Sequence, residues 1–378
     1  MSATSAAQSR QTVRVADADA EERNEQLVSQ LETSGIVRDP AVASAFRAVL
    51  RHHFLPDRPL DEVYEDTAIT TKMGDRGVPV SSSSQPAIMG IMLQQLQLRP
   101  GHRVLEIGAG TGFNAALIAH LVGRDGQVVT VDIDEDLCDQ ARANLATAGV
   151  EGVEVVQADG AGGWPAAAPY DRMILTVSTT DLSPEWPRQL VDEGVLVVPL
   201  ALAGPVQQSV AFVRHGMCLF SSEVASCGFM PLRGQMAPPS TAPDNGNEPW
   251  LQDAGRHSGY RLPAGDLRAG FESWLGLTQN AYIRPRLRAD ESPVFGLRGG
   301  GGAALVVADR DDFAIMVFGD GDRAAAALKE AHRSWAKTRS HVDQLRIEAS
   351  ELGSDISVDA NARTVRRPHF TFTVTQLS

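Results

Sequence analysis

The feature of this sequence that most constrains its fold is a repeated alternation of short apolar strands with helices in the first half of the chain. Residues 103–107 (RVLEI) predict a buried strand, residues 108–112 (GAGTG) a glycine turn, and residues 113–122 a helix rich in Ala, Leu and Ile. The remaining elements of this alternation are strands predicted at 127–131, 153–157, 172–177 and 195–200, and a helix at 137–148. Because the connections are short, we expect a parallel, doubly wound α/β sheet.

Outside this alternation the sequence predicts less regular structure. Residues 1–20 are small and polar, which predicts disorder, and residues 74–84 are rich in Gly and Ser, which predicts a loop. Apolar residues at helical spacing predict helices at residues 21–37, 40–50 and 86–97.

A stretch rich in Pro, Gly and Asn, residues 237–249, predicts a linker between two domains. It separates a first domain at residues 21–236 from a small C-terminal α+β domain at residues 250–378. The elements expected in that second domain are a hairpin at 303–307 and 313–318, a helix at 323–339, and strands at 344–349 and 366–375.

Composition excludes several classes of protein. The 34 basic and 47 acidic side chains give a formal net charge of −13, whereas binding to duplex nucleic acid requires basic surface. Cys138, Cys218 and Cys227 form no CxxC spacing, so we expect neither a disulfide framework nor a metal site. The sequence lacks the roughly 20 consecutive apolar residues of a membrane span. It also lacks an apolar signal-peptide region, so we expect a cytoplasmic protein.

Three strand ends carry the residues that bear on chemistry. Residues 106–112 read E-x-G-x-G-x-G where a strand ends and a helix begins. Glycines let a backbone approach a ligand closely, and a helix N-terminus offers free N–H groups. The next strand ends in Asp132, placed as an acceptor for ribose hydroxyls, and the following one ends at Asp159 and Gly160. Because these ends meet at one edge of a parallel sheet, they favour a ligand site over a tight turn without a ligand.

The glycine spacing differs from the dinucleotide fingerprint G-x-G-x-x-G and resembles the S-adenosylmethionine (SAM) site of class I methyltransferases. This resemblance implies a Rossmann-like fold with SAM as cofactor. It places Gly108 and Gly110 beside the methionine part of SAM, Asp132 at the ribose and Asp159 at the adenine amino group.

Flanking segments resemble the protein-L-isoaspartate O-methyltransferase family. The likeness extends over residues 24–235 and includes residues 104–123 (VLEIGAGTGFNAALIAHLVG), 168–171 (APYD) and 189–194 (QLVDEG). Residues 231–233 (PLR) lie where that family has a late segment that contacts SAM. The cofactor contacts that the resemblance implies are Ser84, Gln85, Glu106, Gly108, Ala109, Gly110, Asp132, Ile133, Asp159, Gly160, Leu232 and Arg233.

The resemblance also implies an active-site serine. In the family, a Ser-Ala-Pro segment before the first SAM motif supplies it, and the matching stretch here is residues 81–86 (SSSSQP). Alignment on Pro86 places Ser84 at that serine and Gln85 in place of the alanine. A shift by one residue leaves Ser83 as a second candidate. Tyr64-x-Asp66 resembles a family segment near the active site, although a surface loop fits it equally well.

Two substrates follow from these features. The SSSSQP form and the extra C-terminal domain resemble a subgroup found with ribosomal-peptide (lanthipeptide, lasso, graspetide) maturation systems. That subgroup methylates an aspartate in a constrained peptide, and the ester then closes to a succinimide. We favour this substrate over the isoaspartyl carboxylate of the repair enzymes on these features and on the extended N-terminus. Residues 176–180 (TVSTT), which replace the alanine-rich segment of the family, also oppose the standard isoaspartate specificity. The C-terminal domain is expected to recognise the peptide or to form a homodimer.

Such a reaction needs little chemistry from the protein. A carboxylate with a pKa near 4 is ionised at pH 7, so catalysis consists mainly of holding its oxygen in line with the S–CH₃ bond. A serine hydroxyl can donate a hydrogen bond that orients it. A nucleic-acid methyltransferase is opposed by the acidic composition and by the lack of an Asp/Asn-Pro-Pro-aromatic motif. A SAM-binding scaffold without turnover stays open.

Overall fold

The structure is a computed structural model in which the chain forms two compact units. The residues that it describes are 3–74, 77–203, 206–238, 250, 255–285, 295–339, 342–353 and 362–376, with side chains described from residue 18 onward. The first unit comprises residues 1–177, 183–198 and 233–235, and the second comprises residues 178–182, 199–232 and 236–378. No helix in the described part of the chain is long and apolar enough to cross a membrane.

The first unit is an α/β unit built on a parallel sheet. Its helices are α1 (Ala3–Thr33), α2 (Pro40–Ala48), α3 (Leu60–Val63), α4 (Pro86–Leu96), α5 (Phe113–Val122), α6 (Glu135–Thr147) and α7 (Glu185–Gln189). Its strands are β1 (Ile69–Met73), β2 (Pro79–Ser83), β3 (Arg103–Ile107), β4 (Gln127–Asp132), β5 (Val153–Gln157), β6 (Tyr170–Leu175) and β7 (Leu190–Ala203), the last of which continues into the second unit. The parallel strands lie in the order β7-β6-β3-β4-β5.

This strand order confirms the predicted doubly wound sheet. From β3 the chain moves outward to β4 and β5, and it then returns to the other side of β3 to form β6 and β7. The strand order therefore reverses between β3 and β6, which is where open α/β sheets bind their ligands. Val104, Leu105 and Ile107 of β3 are buried, as expected of a strand covered on both faces.

Two parts of the first unit differ from the sequence predictions. Residues 74–84, predicted to be a loop, contain strand β2, which forms an antiparallel hairpin with β1. The β-branched residues of β1 favour a strand, and Thr71 Oγ1 donates a hydrogen bond of 3.0 Å to Ser81 Oγ across the hairpin.

Residues 1–20 were predicted to be disordered, but α1 begins at Ala3. No Gly or Pro interrupts residues 1–34, and many are good helix formers.

The second unit is an α+β unit with antiparallel pairing. Its strands are β8 (Val206–His215), β9 (Cys218–Cys227), β10 (Arg256–Leu262), β11 (Tyr282–Ile283), β12 (Phe295–Gly299), β13 (Gly302–Asp309), β14 (Asp312–Gly319), β15 (Leu345–Glu351), β16 (Arg363–Arg366) and β17 (Phe370–Gln376). Its helices are α8 (Ala264–Arg268), α9 (Phe271–Thr278) and α10 (Asp322–Thr338). One sheet has the order β10-β14-β13-β12-β11, and another set of strands the order β16-β17-β15-β9-β8.

The predicted hairpin and helix of the C-terminal region are present as β13–β14 and α10. Helix α10 packs on the first of these sheets, where Phe271 and Trp335 are fully buried with ring centroids 5.3 Å apart. The hairpin β8–β9 was not predicted, and it lies before the expected linker. Most of that linker, from residue 239 onward, lies outside the described residues.

Candidate active site

The glycine turn between β3 and α5 adopts a conformation that requires glycine. Gly108, Gly110 and Gly112 have φ values of 107°, 49° and 86°, in the left-handed region that side chains other than glycine rarely occupy. A Cβ atom on Gly108 would overlap with Thr176 Oγ1, which donates a hydrogen bond of 2.7 Å to the Gly108 carbonyl oxygen. The turn is therefore held tightly against the end of β6.

Asp132, the last residue of β4, lies directly beside this turn. Its Oδ2 accepts a hydrogen bond of 3.1 Å from the Gly110 N–H, and its Oδ1 accepts one of 3.2 Å from the Asp134 N–H. Burial raises the pKa of the Asp132 carboxyl, whose residue is 8% exposed. Each carboxylate oxygen keeps acceptor capacity, so the position predicted for ribose recognition has the chemistry that this role requires.

Asp159 follows β5 and connects two backbone segments of the first unit. Its Oδ1 accepts a hydrogen bond of 2.9 Å from the Ala161 N–H, and its Oδ2 accepts one of 2.8 Å from the Gln235 N–H. The next residue, Gly160, is required by packing, since a Cβ there would overlap with Ile107 Cγ2. The predicted adenine-contacting residues therefore lie at the carboxyl edge of the sheet, together with Asp132.

Glu106, predicted to contact the cofactor, is completely buried at 0% exposure. Its Oε1 accepts a hydrogen bond of 2.8 Å from Asn114 Nδ2, and its Oε2 accepts one of 2.6 Å from Thr130 Oγ1. Burial raises the pKa of Glu106 to about 7. The side chain thus lies beneath the glycine turn, where it joins β3 to β4 and α5.

The serine segment at the end of β2 lies next to the glycine turn. The ideal Cβ position on Gly110 is 3.7 Å from the Ser82 carbonyl oxygen and 3.9 Å from Ser81 Oγ. Ser83 is 3% exposed, and its hydroxyl is within 3.3 Å of an Arg51 guanidinium nitrogen. Ser84 is half-buried, and its carbonyl oxygen accepts a hydrogen bond of 2.9 Å from Arg51. Of the two predicted serines, Ser84 therefore has the more accessible side chain.

Comparison with known protein families identifies the family of this chain. The profile of the family described as Protein-L-isoaspartate(D-aspartate) O-methyltransferase matches residues 22–237, which is more than half of the 378 residues. This chain belongs to the protein-L-isoaspartate O-methyltransferase family. It is therefore a SAM-dependent carboxyl O-methyltransferase with a class I methyltransferase fold.

Individual relatives are similar over most of their own length. The protein-L-isoaspartate O-methyltransferase 1 of Rhodopseudomonas palustris (strain HaA2) is 36% identical over 223 residues, which cover 59% of this chain and 87% of that protein. A protein-L-isoaspartate O-methyltransferase of Methanoculleus marisnigri is 38% identical over 220 residues, which cover 57% of this chain and 92% of that protein. A solved structure of a protein-L-isoaspartate O-methyltransferase matches with a TM-score of 0.54 at 25% identity, covering 86% of this chain and 96% of that chain.

Arg51 is a residue of this methyltransferase site that the sequence reasoning missed. It is 1% exposed and donates hydrogen bonds to five carbonyl oxygens, those of Val63 (2.8 Å), Glu65 (3.2 Å), Thr67 (3.1 Å), Ser83 (3.4 Å) and Ser84 (2.9 Å). Burial lowers its pKa to about 10, so the guanidinium is still protonated at pH 7. A lone arginine between Leu50 and His52 gives no sequence signal, because its acceptors are main-chain atoms far along the chain.

Gln85 and Asp66 fix the start of α4, directly after the serine segment. Gln85 Nε2 donates hydrogen bonds to Asp66 Oδ2 (3.0 Å) and to the Asp66 carbonyl oxygen (3.1 Å). Asp66 Oδ1 accepts a hydrogen bond of 2.8 Å from the Ala87 N–H, in the first turn of the helix. Within the same segment, Tyr64 is buried and its hydroxyl is 2.9 Å from His52 Nδ1. The Tyr64-x-Asp66 segment therefore positions the serine segment.

Arg233 forms an ionic cluster beside Asp132. Its guanidinium donates two hydrogen bonds to Asp134, of 3.0 and 2.9 Å, and lies 3.9 Å from Asp132 Oδ1. Lys72 Nζ donates to Asp134 Oδ2 at 2.8 Å and to Asp136 Oδ1 at 2.7 Å. Hydrogen bonds from Arg233 and then Lys72 lower the pKa of Asp134. The cluster joins the start of α6 to the hairpin β1–β2.

The other predicted cofactor contacts have different surroundings. Ala109 is buried within the glycine turn, and Ile133 is half-buried directly after Asp132. Leu232 belongs to the second unit, where it is buried and its N–H donates a hydrogen bond of 2.7 Å to the Ser178 carbonyl oxygen. The structure thus brings together the glycine turn, Asp132, Asp159, Arg233 and the serine segment in the first unit.

Proposed function

We propose that this enzyme methylates the free α-carboxylate of isoaspartyl residues in peptides or proteins, in which the side-chain carboxyl forms the peptide bond. The observation that carries the proposal is the close approach of the serine segment to the glycine turn, since a Cβ added to Gly110 would lie 3.7 Å from the Ser82 carbonyl oxygen. This proximity supports a site in which a carboxylate at Ser84 meets a methyl donor at the turn. The names of the relatives, which are protein-L-isoaspartate methyltransferases, favour isoaspartate as the substrate.

The residues at the turn have the chemistry that SAM needs. Bound SAM supplies a methyl group activated by its positively charged sulfur. Glycine at positions 108 and 110 lets the backbone approach the methionine part closely, and Asp132 offers carboxylate oxygens to the ribose hydroxyls. Asp159 offers its oxygens to the adenine amino group, and Ile133 and Arg233 lie beside Asp132 in the first unit.

The substrate side needs only orientation. The substrate carboxylate is already ionised at pH 7, so no residue has to remove a proton from it. Ser84 donates a hydrogen bond to one carboxylate oxygen and leaves the other directed at the methyl group. Arg51 fixes the backbone that carries Ser84, so the hydroxyl is already in place before the substrate arrives.

A paired substrate assay tests the proposal. One linear peptide contains isoaspartate and its partner contains aspartate at the same position, and both are incubated with enzyme and SAM and analysed by mass spectrometry. We expect a gain of one methyl group on the isoaspartyl peptide alone. Methylation of the aspartyl peptide alone, or SAM binding without any methyl transfer, would refute isoaspartyl methylation. The second result is the one expected of a SAM-binding scaffold.

A second candidate is the methylation of a normal aspartate in a modified ribosomal peptide. It is favoured by residues 238–378, which lie beyond the match to the family profile. One observation disfavours it. A solved structure of a protein-L-isoaspartate O-methyltransferase covers 86% of this chain, so residues beyond the family profile are also found in a protein named as an isoaspartate methyltransferase. In this reaction the next backbone amide attacks the new ester, and methanol leaves as the succinimide forms. A methyl gain on a cyclised aspartyl peptide, followed by methanol loss, would identify it.

A further inference from the structure

The second unit contains an open groove that has no part in the SAM site. It lies between strand β10 and one face of helix α10 and has a volume of about 530 Å³. Its charged and titratable lining residues are Arg256, His257, Asp322, Lys329, Glu330 and Arg333. Ala325 and Ala326 line the groove between these side chains, and their small size leaves space along the helix face.

The groove keeps an excess of positive charge. Arg256 forms an ion pair with Asp322, and Arg333 lies at 3.9 Å from Glu330. Lys329 Nζ donates a hydrogen bond of 3.0 Å to the Ser258 carbonyl oxygen, and within the described residues no carboxylate is within 4.0 Å of it. Lys329 thus forms no close ion pair in the described part of the chain, although its charge adds to that of Arg256 in lowering the pKa of the Asp322 carboxyl. The net charge of the whole chain is −13.

The backbone of β10 directs recognition to these side chains. β10 is at the edge of its sheet, and its pairing with β14 is interrupted between His257 and Arg261. Within this interrupted stretch, the Gly259 N–H donates a hydrogen bond of 2.8 Å to His257 Nδ1, and the Tyr260 N–H donates one of 3.3 Å to Ser258 Oγ. These main-chain groups are therefore already hydrogen-bonded, which opposes the addition of another strand at this edge.

A buried hydrogen-bonded chain supports one wall of the groove. The Tyr260 hydroxyl is 2.9 Å from His332 Nδ1, and His332 Nε2 is 2.9 Å from Asp266 Oδ2. His332 and Asp266 are both buried, so the Tyr260 ring is held in place. The Arg333 guanidinium lies over that ring, 5.5 Å from its centroid. Stacking on a fixed ring orients the guanidinium for pairing with a carboxylate.

We propose that this groove binds an acidic segment of the peptide substrate, with carboxylate side chains paired to Lys329 and Arg333. That the ligand is a peptide rests on the proposed function. The positive charge of the groove favours carboxylates. Because the Gly259 and Tyr260 N–H groups of β10 are already hydrogen-bonded, the side-chain cations are the groups that bind the ligand. A polynucleotide is opposed by the net charge of the whole chain.

Binding to the full chain, measured without SAM, tests the proposal separately from catalysis. The probe is a fluorescein-labelled octapeptide of alternating Asp and Gly, and its partner has Asn in place of Asp. We expect fluorescence anisotropy to show tighter binding of the Asp peptide, weakened by added salt. The double variant Lys329→Gln/Arg333→Gln should weaken that binding about fivefold, because each exposed ion pair contributes modestly.

The matched control is Arg323→Gln/Lys337→Gln, which removes two exposed charges from the same helix outside the groove. It should bind the Asp peptide as the wild type does. Lys329→Gln alone provides a second test, since it leaves the stacking of Arg333 on Tyr260 intact, and it should weaken binding about twofold.

Three results would overturn the proposal: equal binding of the Asp and Asn peptides, equal weakening in both double variants, or tighter binding of a single-stranded RNA octamer. Because the readout is binding, it does not depend on the methylation assay. If the groove fails while isoaspartyl methylation is found, the proposed function stands. If the groove binds and no methylation occurs, the groove stands and the proposed function falls.

Discussion

The glycine turn and the serine segment are neighbours in the first unit, yet they are held in place by different means. The turn is fixed by the strand ends that surround it, through the hydrogen bond from Gly110 to Asp132 and that from Thr176 to Gly108. The serine segment is fixed by Arg51, which lies 33 residues before Ser84 in the sequence. One half of the site is thus supported by its own motif, and the other half by side chains that are remote in the sequence, Arg51 foremost and also Asp66.

Among the changes that separate the two halves of the site, removal of Arg51 should have the largest effect on stability and activity. Arg51→Met leaves several buried carbonyl oxygens without donors, at about 1–3 kcal/mol for each that water cannot reach. We expect the free energy of unfolding to fall by about 3 kcal/mol or more, and kcat for the peptide to fall while the Kd for SAM changes little. Denaturant unfolding, peptide kinetics and SAM titration measure these quantities.

The control for Arg51 is Arg47→Met. Arg47 pairs with Glu25 and Glu32 on the surface of the same unit, so its loss should change stability only slightly. Arg51→Lys keeps the charge and part of the hydrogen bonding, and it should restore part of kcat. An equal loss of SAM affinity and of kcat in Arg51→Met would show that both halves of the site depend on this residue.

Glu106 should give the turn a pH dependence that the serine segment does not have. Burial raises the pKa of Glu106 to about 7, above the value that this carboxyl has in the unfolded chain. Its contribution to the free energy of unfolding is therefore fully present below the unfolded-state pKa and is lost as the pH rises through 7. From pH 5 to pH 8 this loss is about 2.5 kcal/mol, at 1.36 kcal/mol per pKa unit. We therefore expect Glu106→Gln to gain stability relative to the wild type over this range, measured by denaturant unfolding at both pH values.

Glu135→Gln, on the exposed first turn of α6, controls for the loss of one acidic charge. If the difference in unfolding free energy between Glu106→Gln and the wild type is the same at pH 5 and pH 8, then Glu106 does not titrate in this range.

Gly108→Ala should damage the turn without affecting Arg51. The added Cβ overlaps with Thr176 Oγ1 at a φ of 107°, a strain of about 1–3 kcal/mol. We expect the Kd for SAM to rise about tenfold, measured by calorimetry. Gly162→Ala is the control, since a Cβ there contacts nothing within 4 Å. Unchanged SAM affinity in Gly108→Ala would place the cofactor elsewhere.

The smallest effects should come from the two serines, and they should differ in kind. Ser84→Ala removes one hydrogen bond to a charged substrate, so kcat/KM for the isoaspartyl peptide should fall about tenfold with unchanged stability. Ser83→Ala removes a buried partner of Arg51 and should instead lower the free energy of unfolding by about 1 kcal/mol. The reverse pattern would make Ser83 the serine that contacts substrate.

The sequence predicted the turn well because its contacts come from the ends of adjacent parallel strands. Asp132 could be placed beside Gly110, and Asp159 at the same edge of the sheet, from the alternation of strands and helices alone. The support of the serine segment could not be predicted, because Arg51 binds main-chain carbonyls, which carry no residue identity. Strand β2 was likewise hidden by a Gly- and Ser-rich composition that is typical of loops, although β1 pairs with it.

The pairing of β9 with β15 in the second unit has a consequence for how this protein can be divided. Phe220, Leu219 and Cys218 of β9 lie opposite Glu348, Ala349 and Ser350 of β15. A chain ending after the region shared with its relatives, near residue 237, would keep β9 and lose β15. The amide and carbonyl groups of β9 would then be an uncovered edge on which copies of the shortened protein can stack. The region shared with the relatives thus depends on residues more than a hundred positions further along the chain to cover this edge.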